Sequence, residues 1–299
     1  KNAMTKTLAK SLGLVAVVAI AGSLTLAPAS FAAGGEQPHI EHQRWPFSGI
    51  FGQYDSAQLQ RGFRVYKEVC SACHGLKRVA FRSLSEPGGP QFSEDSVKAL
   101  AAEWPNQITD GPNDEGEMFD RAPRPSDPIL GPYKNDKAAR AAQNGALPPD
   151  LSLITRARNT HNDAWFPVHF YLMAKDVFTG YQEGGANYLY ALLTGYHEPP
   201  EGFTVNEGMN YNAAFPGHQI AMPNVLDGGP VDYSDGQEGY NGPASSLEQN
   251  AKDVSAFLSW AADPTLNTRK QIGWQVMLYL LITTILLYAG KRRIWAKFH

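Results

Sequence analysis

Two thiols and an imidazole fall within one short stretch, Cys70-Ser71-Ala72-Cys73-His74, and these are the residues of the sequence best suited to do chemistry. At this spacing both sulfurs can add across the two vinyl groups of a single porphyrin, and the adjacent histidine lies under the iron as its proximal ligand. The same Cys-x-x-Cys spacing serves redox dithiols and zinc sites, but the first needs a thioredoxin-like βαβ setting and the second a further ligand pair. The sequence has 2 cysteines in all, both within the motif, so no thiol remains for a structural disulfide or a nucleophile. The cofactor implied is one covalent haem c.

What fills the second axial position separates an electron carrier from a ligand-binding or catalytic haem. The methionines that could do so are Met118, Met173, Met209 and Met222, and a bis-histidine site could draw on His39, His42, His161, His169, His197 or His218. Spacing alone does not choose among them. Met222 precedes Pro223 in a loop leading to the last amphipathic helix of the domain, where a small cytochrome would return a thioether to the iron. A haem enzyme or sensor with an open sixth position is the rival reading, and it implies a high-spin spectrum and carbon monoxide binding.

The motif needs elements to deliver it. From Asp55 to Val69 the residues Leu59, Phe63, Tyr66 and Cys70 recur at three- or four-residue steps, which predicts an amphipathic helix with Asp55 or Ser56 as its cap. A second such helix is predicted over 246–262, through Leu247, Val254, Phe257, Leu258 and Ala261, stopped by Asp263-Pro264. The two can pack together over a haem edge. Between them the chain is rich in Gly and Pro, notably over 87–90, 111–136 and 199–242, and no alternating run is long enough for a large sheet. The fold class expected is mainly α, a loop-rich cytochrome c-type haem domain with one C-terminal transmembrane helix.

Residues 1–32 read as a signal peptide: Lys6 and Lys10 precede an apolar run from Leu12 to Leu26, followed by Ser30-Phe31-Ala32. Export would place the thiols in an oxidising space. A second apolar run, Ile272 to Gly290, is long enough to cross a bilayer. Arg269 and Lys270 precede it and Lys291, Arg292, Arg293 and Lys297 follow it, so the C-terminus is expected in the cytoplasm and the haem domain outside, in a bacterial periplasm. The domain boundaries are thus 1–32 for the leader, 33–268 for the haem domain and 269–299 for the anchor and tail. All 29 acidic residues lie in the middle segment with only 17 of the 26 basic ones, an imbalance that favours a basic soluble partner and makes nucleic acid an improbable ligand. Asp110, Asp114, Glu115, Glu117 and Asp120 concentrate that charge.

At several points the sequence resembles the cytochrome c1 family, the membrane-anchored haem subunit of quinol:cytochrome c reductase, bacterial type. The likeness rests on residues 61–66 running into the haem motif, then on 111–119, 144–152 with 156–158, Leu192-Leu193-Thr194-Gly195-Tyr196, Phe215-Pro216-Gly217 before Met222, and 252–254 through 260–262. The resemblance implies His74 and Met222 as axial ligands of the haem iron, with Cys70 and Cys73 holding the porphyrin. It further implies that Arg158 meets a haem propionate and that the Pro148-Pro149 segment lines the proximal side, where the Pro149 carbonyl accepts the Nδ1 hydrogen bond of His74. The partners implied are cytochrome b, a Rieske iron-sulfur protein as donor and a basic cytochrome c as acceptor, within a dimeric complex that is the enzyme as a whole. Two departures stand out. No cysteines exist for the disulfide that props the methionine loop in some bacterial relatives, and residues 159–187, rich in Trp165, Phe166, Phe170, Tyr171 and Phe178, exceed what the shortest family members need.

Overall fold

Asp55 accepts a hydrogen bond from the Ala57 N–H at 3.1 Å and so starts helix α1, Ser56–Glu68, which buries Leu59, Gly62, Phe63, Val65 and Tyr66 along one face. The structure is a computed structural model and describes residues 38, 40–158, 165–179, 184–234 and 240–296. The expected leader, His39, His161, Lys297 and the His169 side chain lie outside the described residues. After α1 come α2 (Glu94–Ala102), α3 (Asp136–Ala142), α4 (Ile154–Ala157), α5 (Phe166–Thr179), α6 (Gly185–Thr194), α7 (Leu247–Ala262) and α8 (Leu266–Trp295). The mainly helical, loop-rich class expected from the sequence is what the chain adopts.

Helix α1 packs on α7, and α7 in turn carries α4 and α6. The α1–α7 crossing is close because Gly62 has no side chain: a Cβ there would stand 2.1 Å from the Asp253 carbonyl oxygen and 2.7 Å from the Phe257 Cβ. Around this crossing Phe63, Tyr66, Phe257 and Trp260 form a buried aromatic cluster, with Phe63 and Phe257 edge to face at 5.5 Å. Ser246 caps α7 through the Gln249 N–H, and Asp263-Pro264 ends it.

Short strands punctuate the loops. Antiparallel pairs join β1 (Leu76–Ala80) to β4 (Pro128–Ile129), β2 (Ile108–Asp110) to β3 (Phe119–Arg121), and β5 (Asn210–Tyr211) to β6 (Gln219–Ile220). They are too short to form an amphipathic layer and serve as clips that fix loop ends.

Helix α8 has 30 residues, starts six residues before the apolar run and continues past it through Lys291–Arg293. Arg269 and Lys270 at one end and the basic cluster at the other are good helix formers, so the helix outlasts the apolar segment. It is long and apolar enough to cross a membrane, and its apolar window is exposed in the isolated chain, as fits a single-pass anchor.

Candidate haem site

Helix α1 ends at Glu68 and the chain tightens into a 3₁₀ turn over Cys70–Ala72, in which the Cys70 carbonyl receives the N–H groups of both Cys73 (3.1 Å) and His74 (2.9 Å). Both thiols and the imidazole are thereby held in one turn. Tyr66, fully buried on α1, donates its hydroxyl to the His74 carbonyl at 3.0 Å and ties this turn back to the helix. Both cysteines are free thiols. Burial, helped by neighbouring Cys73, pushes the Cys70 thiol up to about 12, so it is protonated at neutral pH.

The His74 ring is half-buried, and its Nδ1 lies 2.7 Å from the Pro149 carbonyl oxygen. Burial lowers the ring's pKa, while the Pro149 carbonyl and Asp150 oppose that shift. A neutral ring that donates Nδ1–H to a carbonyl leaves Nε2 as its free lone pair, the atom a metal would take.

The Pro149 carbonyl is itself held in place. Asp150 accepts from the Lys77 N–H at 2.8 Å through one oxygen and from the Ser152 N–H at 3.0 Å through the other. The Leu151 N–H donates to the Gly75 carbonyl at 2.9 Å, and the Arg78 N–H to the Ser152 hydroxyl at 3.0 Å. Residues 149–152 are thus fastened alongside 75–78 like an extra strand. Behind them Gly75 and Gly131 pass so closely that a Cβ on Gly75 would lie 2.5 Å from the Gly131 nitrogen. The sequence reading singled out 144–152 without giving Asp150, Gly75 or Gly131 a task; their work depends on which strand lies beside which.

Met222 is half-buried and packs against the core, whereas Met118 and Met173 are exposed. Its carbonyl accepts from the Tyr196 hydroxyl at 3.0 Å and from the Asn210 amide at 3.4 Å. The loop before it is the β5–β6 hairpin, braced by buried Asn212, whose side chain donates to the Leu192 carbonyl and accepts from the Ala214 N–H. Rings of Phe203, Tyr211 and His218 stack beneath the hairpin. These contacts do the propping that a disulfide would otherwise do, and they explain the Leu192–Tyr196 landmark.

Arg158 is exposed at the C-terminal end of α4, just beyond the fastened segment, and its charge opposes the rise that burial imposes on the Tyr188 hydroxyl. Among the described residues no group of three or more His, Cys, Asp or Glu side chains could hold a metal ion by itself. The donors present, two thiols, one imidazole and one thioether, therefore suit an iron that brings its equatorial ligands with it, which is the fit expected of a haem and not of a bare zinc ion.

A Cys-x-x-Cys-His turn, a histidine tethered through Nδ1, and one long apolar helix define the class as a membrane-anchored c-type haem protein. Comparison with known proteins narrows it: residues 45–298 match the Cytochrome C1 family, and the chain belongs to that family. It is 47% identical to the cytochrome c1 of Blastochloris viridis over 264 residues, 88% of each chain. To the cytochrome c1 of Rhodospirillum rubrum it is 43% identical over 293 residues, covering 92% of this chain and 95% of the relative. A protein named cytochrome b/c1 from Bradyrhizobium diazoefficiens is 46% identical over 300 residues, and there this chain spans only 41% of the relative's length. Family membership implies a haem cofactor and a role in electron transport.

Proposed function

We propose that the chain is the haem c subunit of a ubiquinol:cytochrome c reductase, the cytochrome bc1 complex. Cys70 and Cys73 hold one haem through thioether bonds, His74 and Met222 are the axial ligands, and Arg158 neutralises a propionate. When bound, the haem supplies an iron that takes up and returns one electron with no bond made or broken. The electron comes from a Rieske iron-sulfur protein and goes to a soluble or tethered basic cytochrome c, in a dimeric assembly with cytochrome b. The greater number of basic residues after α8 favours a periplasmic haem domain and a cytoplasmic C-terminus. The observation that carries the reading is the 2.7 Å contact between His74 Nδ1 and the Pro149 carbonyl, which holds the ring and frees Nε2 for iron.

The residues of this chain orient and steer. Tyr196 and Asn210 hold the backbone of Met222, so the thioether has little to reorganise when the charge on iron changes. On the β2–β3 hairpin, Asp110 pairs with Arg121 and Asp120 with Lys134, at 2.6 Å and 3.2 Å. The exposed Asp114, Glu115 and Glu117 at its turn are then the part of the acidic cluster best placed to steer a basic partner, beside exposed Met118 and Phe119.

The test is a redox titration of Met222→Leu. The variant should keep its pigment through denaturation, because the thioethers are untouched, and should show a much lower midpoint potential and no turnover. An unchanged potential removes Met222 from the iron. Failure of cytochrome b and an iron-sulfur subunit to co-purify with the tagged chain refutes the complex.

A further inference from the structure

Helix α5, Phe166–Thr179, is apolar and exposed. Trp165, Phe166, Val168, Phe170, Tyr171 and Met173 are each between 47% and 76% exposed. At about 100° per residue, the helical ones among them spread over more than half of the circumference. A patch of this size on one element marks an interface. A protein groove covers one stripe of a helix, whereas an apolar surface this wide suits a medium that surrounds it.

The topology says where that medium is. The segment that carries α5 leaves the domain after α4 and returns at α6, and these two points are held together: a Cβ on Gly185 would lie 1.8 Å from the Thr155 carbonyl oxygen and 2.7 Å from that of Arg158. Next to them Arg156 pairs with Asp263 at 2.7 Å, and Arg269, on the first turns of α8, pairs with the same carboxylate. The α4–α6 junction therefore abuts the start of the anchor. From Thr179 to Gly185 the chain can reach at most about 21 Å, so α5 cannot stand far from that level. With 14 residues it is too short to span a bilayer but long enough to lie along one. Its Trp, Phe and Tyr content is that of the membrane–water boundary. Arg156, Arg269 and Lys270 gather around the single acid Asp263 at the same level, a positive excess that complements lipid phosphates.

We propose that α5 lies in the outer-leaflet interface of the bilayer as a second, non-spanning membrane contact beside α8. The inference rests on α8 being a membrane span. It turns the long 159–187 stretch into a device that sets the tilt of the haem domain over the membrane, which a single flexible attachment could not do.

Nitroxide labels on the full-length chain, in its complex and in phospholipid nanodiscs, test this through collisions with oxygen, which partitions into lipid, and with a water-soluble nickel chelate. Labels at Phe170→Cys and Met173→Cys should collide with oxygen several-fold more often than with the chelate; a label at exposed Lys98→Cys on α2 should show the reverse. A chelate-dominated signal at 170 and 173 means that α5 is solvated, and low collision rates with both quenchers mean that another subunit covers it; either result overturns the proposal. Met277→Cys on α8 separates this failure from that of the anchor: a chelate-accessible label there removes the span itself. Two substituted positions guard against one misfolded variant, and retention of the haem band in each reports folding.

Discussion

Asp150→Ala should loosen the haem site without touching a ligand. The carboxylate accepts two backbone N–H groups, from Lys77 at 2.8 Å and Ser152 at 3.0 Å, and nothing else is printed on that face of the strand to replace it. Hydrogen bonds to a charged acceptor contribute about 1.5–3 kcal/mol each, and partial exposure puts the pair toward the low end, so the variant should lose about 2–4 kcal/mol of stability. Asp150→Asn keeps one acceptor oxygen and should lose roughly half as much. The second consequence is electronic. The Pro149 carbonyl draws the Nδ1 proton of His74, which makes the ring a stronger donor and favours ferric iron on the proposed ligation. If freeing residues 149–152 weakens that bond by about 0.5–1 kcal/mol between oxidation states, the midpoint potential rises by about 20–40 mV. Denaturant unfolding of the detergent-solubilised holoprotein and a redox titration measure the two effects. Asp150→Ala with unchanged stability and unchanged potential would refute the claim that this carboxylate holds the proximal carbonyl.

Other perturbations address the scaffold and the charged surface. Gly62→Ala inserts a methyl 2.1 Å from the Asp253 carbonyl oxygen, so α1 and α7 must separate; the overpacking should cost about 1–3 kcal/mol despite alanine's better helix propensity, and unchanged denaturant stability would show that the helices do not touch there. Asp253 is fully buried and receives Arg61 at 2.8 Å with Gln58 and Gln249, so Asp253→Ala should cost about 3–5 kcal/mol, while the apolar pair Arg61→Met with Asp253→Leu should recover most of that loss in the same unfolding assay. On the β2–β3 hairpin, Arg121 holds Asp110 and Asp127 below the usual carboxylate range, and Thr109 with Lys134 does so for Asp120. Depressed folded-state values mean that this stabilisation is complete above the unfolded carboxylate value of about 3.9 and is lost as pH falls through the folded ones. Amide exchange over 108–121 should therefore accelerate below about pH 4, and Arg121→Leu should exchange fast already at neutral pH; an identical profile for the variant would exclude the ion pairs as the cause.

Local features were legible in the sequence where local physics decides them. The haem motif is a single turn, and α1 and α7 begin at the side-chain caps Asp55 and Ser246 that their patterns suggest. The anchor was legible as an apolar run, although α8 extends beyond it because helix propensity continues through its basic flanks. The hairpins were not, since strands of two or three residues carry no alternation to detect. Nor was the partial cancellation of the acidic cluster, which depends on the register that sets Asp110 against Phe119 and Ile108 against Arg121. Around the methionine loop the missing disulfide signalled that other packing was needed, but the identity of the props, Tyr196, Asn210 and Asn212, follows only from contacts between distant segments.

Those long-range contacts also decide how the site stands relative to the membrane. Between α7 and α8 only residues 263–265 intervene, and Asp263 is bound from both sides, by Arg156 of α4 and Arg269 of α8. Lys270 reaches back to the carbonyls of Phe47 and Gly49 at 2.6 Å and 2.5 Å, so the N-terminal segment of the domain grips the same end of the anchor. From Asp263 the chain of rigid contacts runs along α7 to the Gly62 crossing, then along α1 to Cys70. A haem held at that turn is referred to the anchor through two packed helices and not through a linker. Electron transfer falls off steeply with distance and needs a donor and an acceptor docked at fixed heights; a junction braced in this way holds that height while partners come and go.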